Sequence, residues 1–256
     1  MDIIKQHVLT NLSKGMREDG RQFMEYRPIL VEYGISPKSS EGSARVKIGG
    51  TEVVVGVKME IMEPYSDKPD EGSLMINAEL LPLSNPDFES GPPAIESIEL
   101  ARVVDRGLRE GKAVDFKKLC IKVGEKMWVV VVDIYPLNDE GNLFDAASLG
   151  ALAAIKDAKF PIIENDHIQY GKLSDKKLPV QHLPLECTVW KIGDSFIVDP
   201  GKTEEASGEA RLTIAVLEDG TICALQKGGD KGLSFQDIEK MVEIAIEKTA
   251  ELRGHL

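Results

Sequence analysis

The sequence predicts an α+β protein made of two related halves, each with several strands followed by a helix. Three observations lead to this fold class. Short segments rich in valine and isoleucine are separated by Gly-containing turns, which is typical of strands in hairpins. Amphipathic helical patterns occur at 97–111 and 234–250, each after a group of strands. The order of strands followed by a helix therefore recurs about once per half, although the halves show no clear sequence repeat.

Composition and charge fit a soluble globular protein. The chain has 256 residues and a net charge of −12, so any site for a polyanion has to be local or shared with a partner. No run of about 18 apolar residues occurs and the N-terminus lacks a signal-peptide layout, so we expect a cytoplasmic protein without membrane contact. The cysteines are widely spaced and are predicted to be buried free thiols. The histidines have no zinc-ligand spacing, and neither a metal nor a cofactor is expected.

The N-terminal region is predicted to contain a short helix and a charged loop. Ile4, Val8 and Leu12 recur at helical spacing, and Gly15 ends the helix. Residues 17–21 (REDGR) then combine the turn chemistry of Asp-Gly with several charges, which indicates a well-anchored loop before the first strand.

Strands and helices alternate through the rest of the chain. In the first half we predict strands at 29–35, 42–48, 51–61, 74–81, 120–123 and 127–135. The last of these is almost entirely apolar and is therefore expected to be covered on both faces. A helix follows with Asn142 as its N-cap, and the loop 62–73 is expected to be exposed and mobile. In the second half we predict hairpins at 185–198 and 211–225 and a final helix capped by Ser234.

These elements divide the chain into four predicted parts. They are an N-terminal helix and loop (1–28), a first half (29–160), a polar and irregular connecting segment (161–183) and a second half (184–256).

The helix at 97–111 carries the most distinctive charge pattern. At about 100° per residue, Arg102, Arg106 and Arg109 fall on one narrow face, whereas apolar residues point the opposite way. Guanidinium groups arranged in this way suit a planar or phosphate-bearing anion. Glu99, Asp105 and Glu110 are interleaved with the arginines, and the alternative is a solvated face in which the arginines pair with Glu99 and Asp105.

Two further motifs lie after a strand of the second half. Residues 200–203 (PGKT) resemble the end of a phosphate-binding P-loop, but Phe196 replaces the required glycine and a strand rather than a helix is expected to follow. Asp199, Glu204 and Glu205 form a carboxylate cluster that suits Mg²⁺ binding or proton transfer, or else a charged surface turn.

An ordered set of motifs resembles the RNase PH family of phosphate-dependent 3′→5′ exoribonucleases. The set comprises 17–21 (REDGR), 26–29 (YRPI), 42–44 (GSA), 51–53 (TEV), the arginine-bearing helix, 145–148 (DAAS) and 199–209, and it spans essentially the whole chain. The resemblance implies an RNase PH-like fold, with two similar halves of mixed β-sheet packed with helices.

Residues 100–106 (LARVVDR) and 144–147 (FDAA) are similar to the branch of this family that forms the non-catalytic subunit of the archaeal exosome ring. The resemblance implies a heterodimer with a catalytic RNase PH-like subunit, three such heterodimers in a hexameric ring, cap subunits that bind RNA, and single-stranded RNA as the ligand. Arg102 and Arg106 match positions that contact the RNA backbone in the family, and Arg109 shares their face.

Two departures from the family's catalytic pattern predict that this chain is not an enzyme on its own and has no catalytic residue. Glu96 stands where active members place a phosphate-binding arginine, and its charge would repel phosphate. Glu205 stands where they place an aspartate, and its extra methylene alters the position of the carboxylate. The alternative functions are a self-sufficient phosphorolytic exoribonuclease that uses Glu205, and a protein of the same fold that does not bind RNA.

Overall fold

The computed structural model describes residues 3–164 and 167–256. The helices are α1 (Ile3–Ser13), α2 (Ile95–Glu110), α3 (Leu143–Asp157), α4 (Lys202–Ser207) and α5 (Phe235–Arg253). The strands are β1 (Ile29–Tyr33), β2 (Gly42–Ile48), β3 (Thr51–Met62), β4 (Ser73–Ala78), β5 (Cys120–Lys122), β6 (Lys126–Asn138), β7 (Lys159–Glu164), β8 (His167–Lys177), β9 (Leu185–Ile192), β10 (Ser195–Val198), β11 (Ala210–Val216) and β12 (Ile222–Gly228). No helix in these described ranges is long and apolar enough to span a membrane.

The first half is built on a mixed sheet with the strand order β1-β2-β3-β6-β4, and β5 also pairs with β6. All these pairs are antiparallel except β4 with β6, which is parallel. β6 is central, and its residues from Met127 to Val132 are buried on both faces, as the apolar sequence predicted.

The second half is an antiparallel sheet with the order β10-β9-β11-β12, against which α5 packs. Helix α3 lies between the two sheets, in contact with β2 and β3 on one side and β9 on the other. Every residue of α3 from Asp145 to Ile155 is buried, which its alanine-rich sequence permits because small side chains let the sheets approach closely. The predicted α+β fold of two halves, each a sheet packed with helices, is confirmed.

The prediction that 161–183 is irregular is wrong for most of this segment. Strands β7 and β8 pair as an antiparallel hairpin, although residues 165 and 166 lie outside the described residues. The side chains of β8 are mostly polar and exposed, so the sequence shows no alternation of apolar and polar residues. The boundaries of the predicted parts stay predictions.

One further local expectation is wrong, and two others are only partly confirmed. The PGKT motif leads into the short helix α4, not a strand, because Glu204 accepts a hydrogen bond from the Gly201 backbone N–H at 2.9 Å and begins a helical turn. Asn142 is the N-cap residue of α3, as predicted, but its backbone is left-handed (φ 62°) and its side chain makes no capping hydrogen bond. Cys187 is buried, but Cys120 and Cys223 lie on the outer strands β5 and β12 and are only half-buried.

Candidate functional site

The arginine face of α2 is formed by Arg102, Arg106 and Arg109. Two of these three arginines are exposed to solvent. Arg102 and Arg106 are exposed and make no hydrogen bond or ion pair with any described residue. Arg109 is half-buried, and its guanidinium donates to both carboxylate oxygens of Asp105, at 3.0 Å and 2.6 Å. These hydrogen bonds raise the pKa of Arg109 above its ordinary value. Pairing within the helix therefore occurs at one arginine and leaves two uncommitted.

A second acidic neighbour of the arginines, Glu99, is also committed elsewhere. Glu99 accepts a hydrogen bond from Arg211 of β11 at 2.7 Å, so its charge is not available to Arg102. Arg211 lies over the ring of Phe144 at 4.5 Å, which fixes the pair against α3. Glu110, four residues after Arg106, is exposed and makes no hydrogen bond or ion pair with any described residue, so Arg106 keeps one free acidic neighbour whereas the carboxylates nearest Arg102 already have partners.

Helix α2 is fixed in place by contacts on two sides. It covers β4, the edge strand of the first sheet, and its side chains satisfy two edge carbonyls. Ser97 Oγ donates to Ala78 O at 2.6 Å, and Arg109 donates to Leu74 O at 2.6 Å. On the second side, a Cβ at Gly107 would lie 2.5 Å from Glu186 Oε1, so a larger residue would force the buried Glu186 side chain to move where α2 approaches β9. The arginine face is therefore presented by a rigid element.

The signature loop 17–27 is anchored on the carboxylate cluster of the second half. Asp199 is fully buried, and its carboxylate accepts hydrogen bonds from Arg21, Arg27 and Asn142 at 2.7–2.9 Å. Burial alone would lower the pKa of Arg27, but its hydrogen bonds with Asp199 and the negative charges of Asp199, Glu205 and Glu140 together outweigh burial and raise that pKa. Asp199 is therefore saturated as an acceptor and is committed to holding the loop.

Glu204 has a similar structural role. It forms a buried ion pair with Arg17, in which both carboxylate oxygens accept from the guanidinium at 2.9 Å and 2.6 Å. Among the described residues, no group of three His, Cys, Asp or Glu side chains is arranged to hold a metal ion. The predicted anchoring of the loop is explained, and two of the three clustered carboxylates are accounted for by it.

Glu205, the third carboxylate, lies in a separate cavity of about 200 Å³ that we call the Lys202 cavity. Glu96 and Lys202 line it as well, together with Phe144, Trp190 and Arg211. Glu205 accepts a hydrogen bond from the Asn142 backbone N–H at 2.7 Å, and burial raises its pKa. Lys202 contacts Asp139 and lies 3.7 Å from Glu205, so its charge is already neutralised by neighbouring carboxylates.

A buried polar network behind α3 was missed by the sequence reasoning. Tyr26 donates to Asp145 at 2.7 Å, and the Thr188 backbone N–H donates to the same carboxylate at 2.8 Å. Burial raises the pKa of Asp145 to about 7, despite these hydrogen bonds. Burial and the nearby Asp145 raise the pKa of Glu186 to about 8. Tyr26 and Asp145 belong to the quoted YRPI and DAAS motifs, and their separation in sequence hides the contact.

Comparison with known proteins places this geometry in a family. The model of domain 1 of the 3′ exoribonuclease family (RNase PH) matches residues 25–161, and that of domain 2 matches residues 182–248. The chain belongs to the RNase PH family. The resemblance to the RNase PH family is confirmed, and both main sheets of the fold lie within the matched regions.

Similar members of the RNase PH family cover nearly the whole chain. The exosome complex component Rrp42 of Methanocella arvoryzae is 45% identical over 255 residues, covering 100% of this chain and 96% of that protein. A solved Archaeoglobus fulgidus exosome with RNA bound to the active site contains a chain with a TM-score of 0.92 and 44% identity, covering 99% and 97% of the two chains. A solved archaeal exosome core gives a TM-score of 0.87 and 42% identity, covering 98% and 95%.

Proposed function

We propose that this chain is the non-catalytic RNase PH-like subunit of an archaeal-type exosome ring. In this role it scaffolds the catalytic RNase PH-like subunit, structures its active site and contacts RNA during phosphate-dependent 3′→5′ degradation. The observation that carries the proposal is the pair of uncommitted arginines, Arg102 and Arg106, on the rigid helix α2. The similarity to proteins named Rrp42 and to chains of solved archaeal exosomes supports the same assignment.

The spacing of the arginines suits a phosphate backbone. Arg102 and Arg106 are four residues apart, which separates them by about 6 Å along the helix axis. Guanidiniums at this spacing contact adjacent phosphates without reading base edges, as a degradation complex that accepts many sequences requires. Arg109, the third residue of the face, contributes from a position fixed by Asp105 and the Leu74 carbonyl.

The Lys202 cavity supports the absence of phosphorolysis by this chain alone. Phosphate entering it would meet Glu96 and Glu205, whereas Lys202 is engaged with Asp139. Arg211, the other cation in the cavity, is engaged with Glu99. Because phosphate is an anion, an excess of carboxylates with no uncommitted cation disfavours its binding.

The proposal extends to the assembly. We infer a heterodimer with the catalytic RNase PH-like subunit, three heterodimers per hexameric ring, RNA-binding cap subunits and a cytoplasmic location. Confinement of RNA contacts to a shared ring surface explains how a chain with a net charge of −12 binds a polyanion locally.

Phosphorolysis measured with and without the partner tests the catalytic part of the proposal. The isolated chain should release no nucleoside diphosphate from single-stranded RNA in phosphate buffer, and activity should appear when the catalytic subunit of an archaeal exosome is added. Release by the isolated chain that disappears in Glu205→Ala would instead establish the self-sufficient enzyme.

Charge reversal on α2 tests the RNA contacts. In the assembled ring, Arg102→Glu with Arg106→Glu should weaken single-stranded RNA binding by tenfold or more, since hydrogen bonds to charged groups contribute about 1.5–3 kcal/mol each. The slope of log affinity against log salt should decrease by about 1.4, because each phosphate contact contributes about 0.7 for single strands. The matched control, Lys38→Glu with Lys240→Glu, reverses two exposed charges away from α2 and should leave both quantities unchanged. Equal effects of the two double variants would contradict the assignment.

A further inference from the structure

A surface groove lies between the arginine face of α2 and the outer face of the first sheet. Its volume is about 440 Å³, and Arg102 and Arg109 line one side. The other side carries Met62 at the end of β3, Met75 on β4, and Tyr65 in the loop 63–72. The proposed RNA contacts and three apolar side chains therefore share one groove.

Met62, Tyr65 and Met75, which we call the platform, are unusually exposed for their residue types. Tyr65 is 61% exposed, Met62 47% and Met75 45%. Met62 lies opposite Met127 on the neighbouring strand, and Met75 lies opposite Val131, so both pack beside a buried apolar cluster of β6. The platform is thus a supported apolar surface open to solvent, which is typical of a binding site.

The Tyr65 side chain is uncommitted, whereas its backbone is held. Its carbonyl accepts a hydrogen bond from the Lys68 N–H at 3.0 Å, which closes a turn. Its hydroxyl makes no hydrogen bond with any described residue. The backbone of Tyr65 is therefore held by the turn, while its side chain is mostly exposed to solvent.

The charge in the groove favours a nucleotide over an apolar peptide. The ionisable side chains that line it on α2 are Arg102, Asp105 and Arg109, and Asp105 is neutralised by Arg109. The uncommitted charge is that of Arg102. An aromatic ring beside one free cation matches the two parts of a nucleotide, a base that stacks and a phosphate that pairs.

We propose that Tyr65, supported by Met62 and Met75, stacks on a base of single-stranded RNA whose phosphate Arg102 holds. This inference rests on the proposed function, since it requires RNA at the arginine face. Because every base has a π-face, the platform accepts any sequence, with a preference for the larger purines.

Equilibrium binding of single-stranded RNA to the assembled ring in phosphate-free buffer tests the platform. Tyr65→Ala should weaken binding by about 5- to 160-fold, which corresponds to about 1–3 kcal/mol per stacked base. Its salt dependence should match that of the unmodified ring, because no phosphate contact is lost. Tyr65→Phe should bind like the unmodified ring, since the hydroxyl has no partner among the described residues.

A fluorescent base provides a second readout. RNA carrying 2-aminopurine at successive positions should show quenching at the position that meets Tyr65, and Tyr65→Ala should abolish that quenching.

Unchanged affinity in Tyr65→Ala, together with weak binding by the Arg102/Arg106 double variant, would overturn the platform and leave the proposed function standing. Failure of Tyr65→Ala to assemble with the catalytic subunit would also overturn it, because the surface would then be a protein contact. Normal binding by the double arginine variant would overturn the proposed function itself.

Discussion

Replacement of Asp199 by asparagine tests whether the carboxylate is a structural anchor of loop 17–27 or a catalytic group. The Asp199 backbone is left-handed (φ 47°), a conformation that asparagine adopts readily. The Asp199→Asn substitution would therefore keep the backbone and the shape of the side chain while removing its charge. Any loss of stability then reports on the hydrogen bonds to Arg21, Arg27 and Asn142.

The expected magnitude follows from the distribution of donors. Oδ1 accepts from Arg27 and Asn142, and Oδ2 accepts from Arg21 and from both the backbone and the side chain of Arg27. Whichever oxygen becomes an amide nitrogen, at least two donors then face another donor. Removing one partner of a buried ion pair costs about 3–5 kcal/mol. For a chain of this size that corresponds to a decrease in Tm of about 6–20 °C.

Thermal and urea unfolding of the isolated chain measure this effect. Asp175→Asn is the matched control, because Asp175 is exposed on β8, and it should change stability by less than about 0.5 kcal/mol. A loss below about 1 kcal/mol for Asp199→Asn, with abolished phosphorolysis in the assembled ring, would refute the structural role and favour a catalytic one.

Two further substitutions test the packing behind α2. The Glu186 carboxyl has a pKa raised to about 8, so the folded state binds its proton more tightly than the unfolded state and stability should fall as the pH rises from about 5 to 8. Glu186→Gln should reduce the dependence of the unfolding free energy on pH, measured by urea unfolding, by at most about 1.4 kcal/mol per pH unit. Glu243→Gln, at an exposed position of α5, should leave that dependence unchanged. Gly107→Ala should cost about 1–3 kcal/mol, because its Cβ would lie 2.5 Å from Glu186 Oε1, and it should also weaken RNA binding by displacing α2. Gly232→Ala, with open space around the new Cβ, should have neither effect.

Elements with strong local patterns were predictable from the sequence. The apolar run of β6 and the alanine-rich α3 bury the residues that their composition indicates. The cap of α5 follows from Ser234 and Asp237, since the Asp237 backbone N–H donates to Ser234 Oγ at 3.1 Å. In these elements the local preference and the tertiary packing agree.

Contacts between distant segments were not predictable. Asp199 meets Arg21 and Arg27 across more than 170 residues, and nothing in the spacing of these residues indicates the contact. The same contact fixes the side chain of Asn142, whose amide N–H donates to Asp199 and whose oxygen accepts no capping hydrogen bond from the N–H groups of α3. Tyr65 was placed correctly in an exposed loop, but only the fold brings that loop beside α2. The sequence therefore indicated which residues carry charge, and the topology decided which charges remain free.

The pairing of charges on α2 explains how an arginine can stay available to RNA in an acidic chain. Asp105 is three residues from Arg102, so an uncommitted Asp105 would compete with phosphate for that arginine. Arg109 prevents this competition by engaging both oxygens of Asp105. The arginine that is least available to RNA thus maintains the availability of Arg102. Its loss should weaken RNA binding even at phosphates that it does not touch.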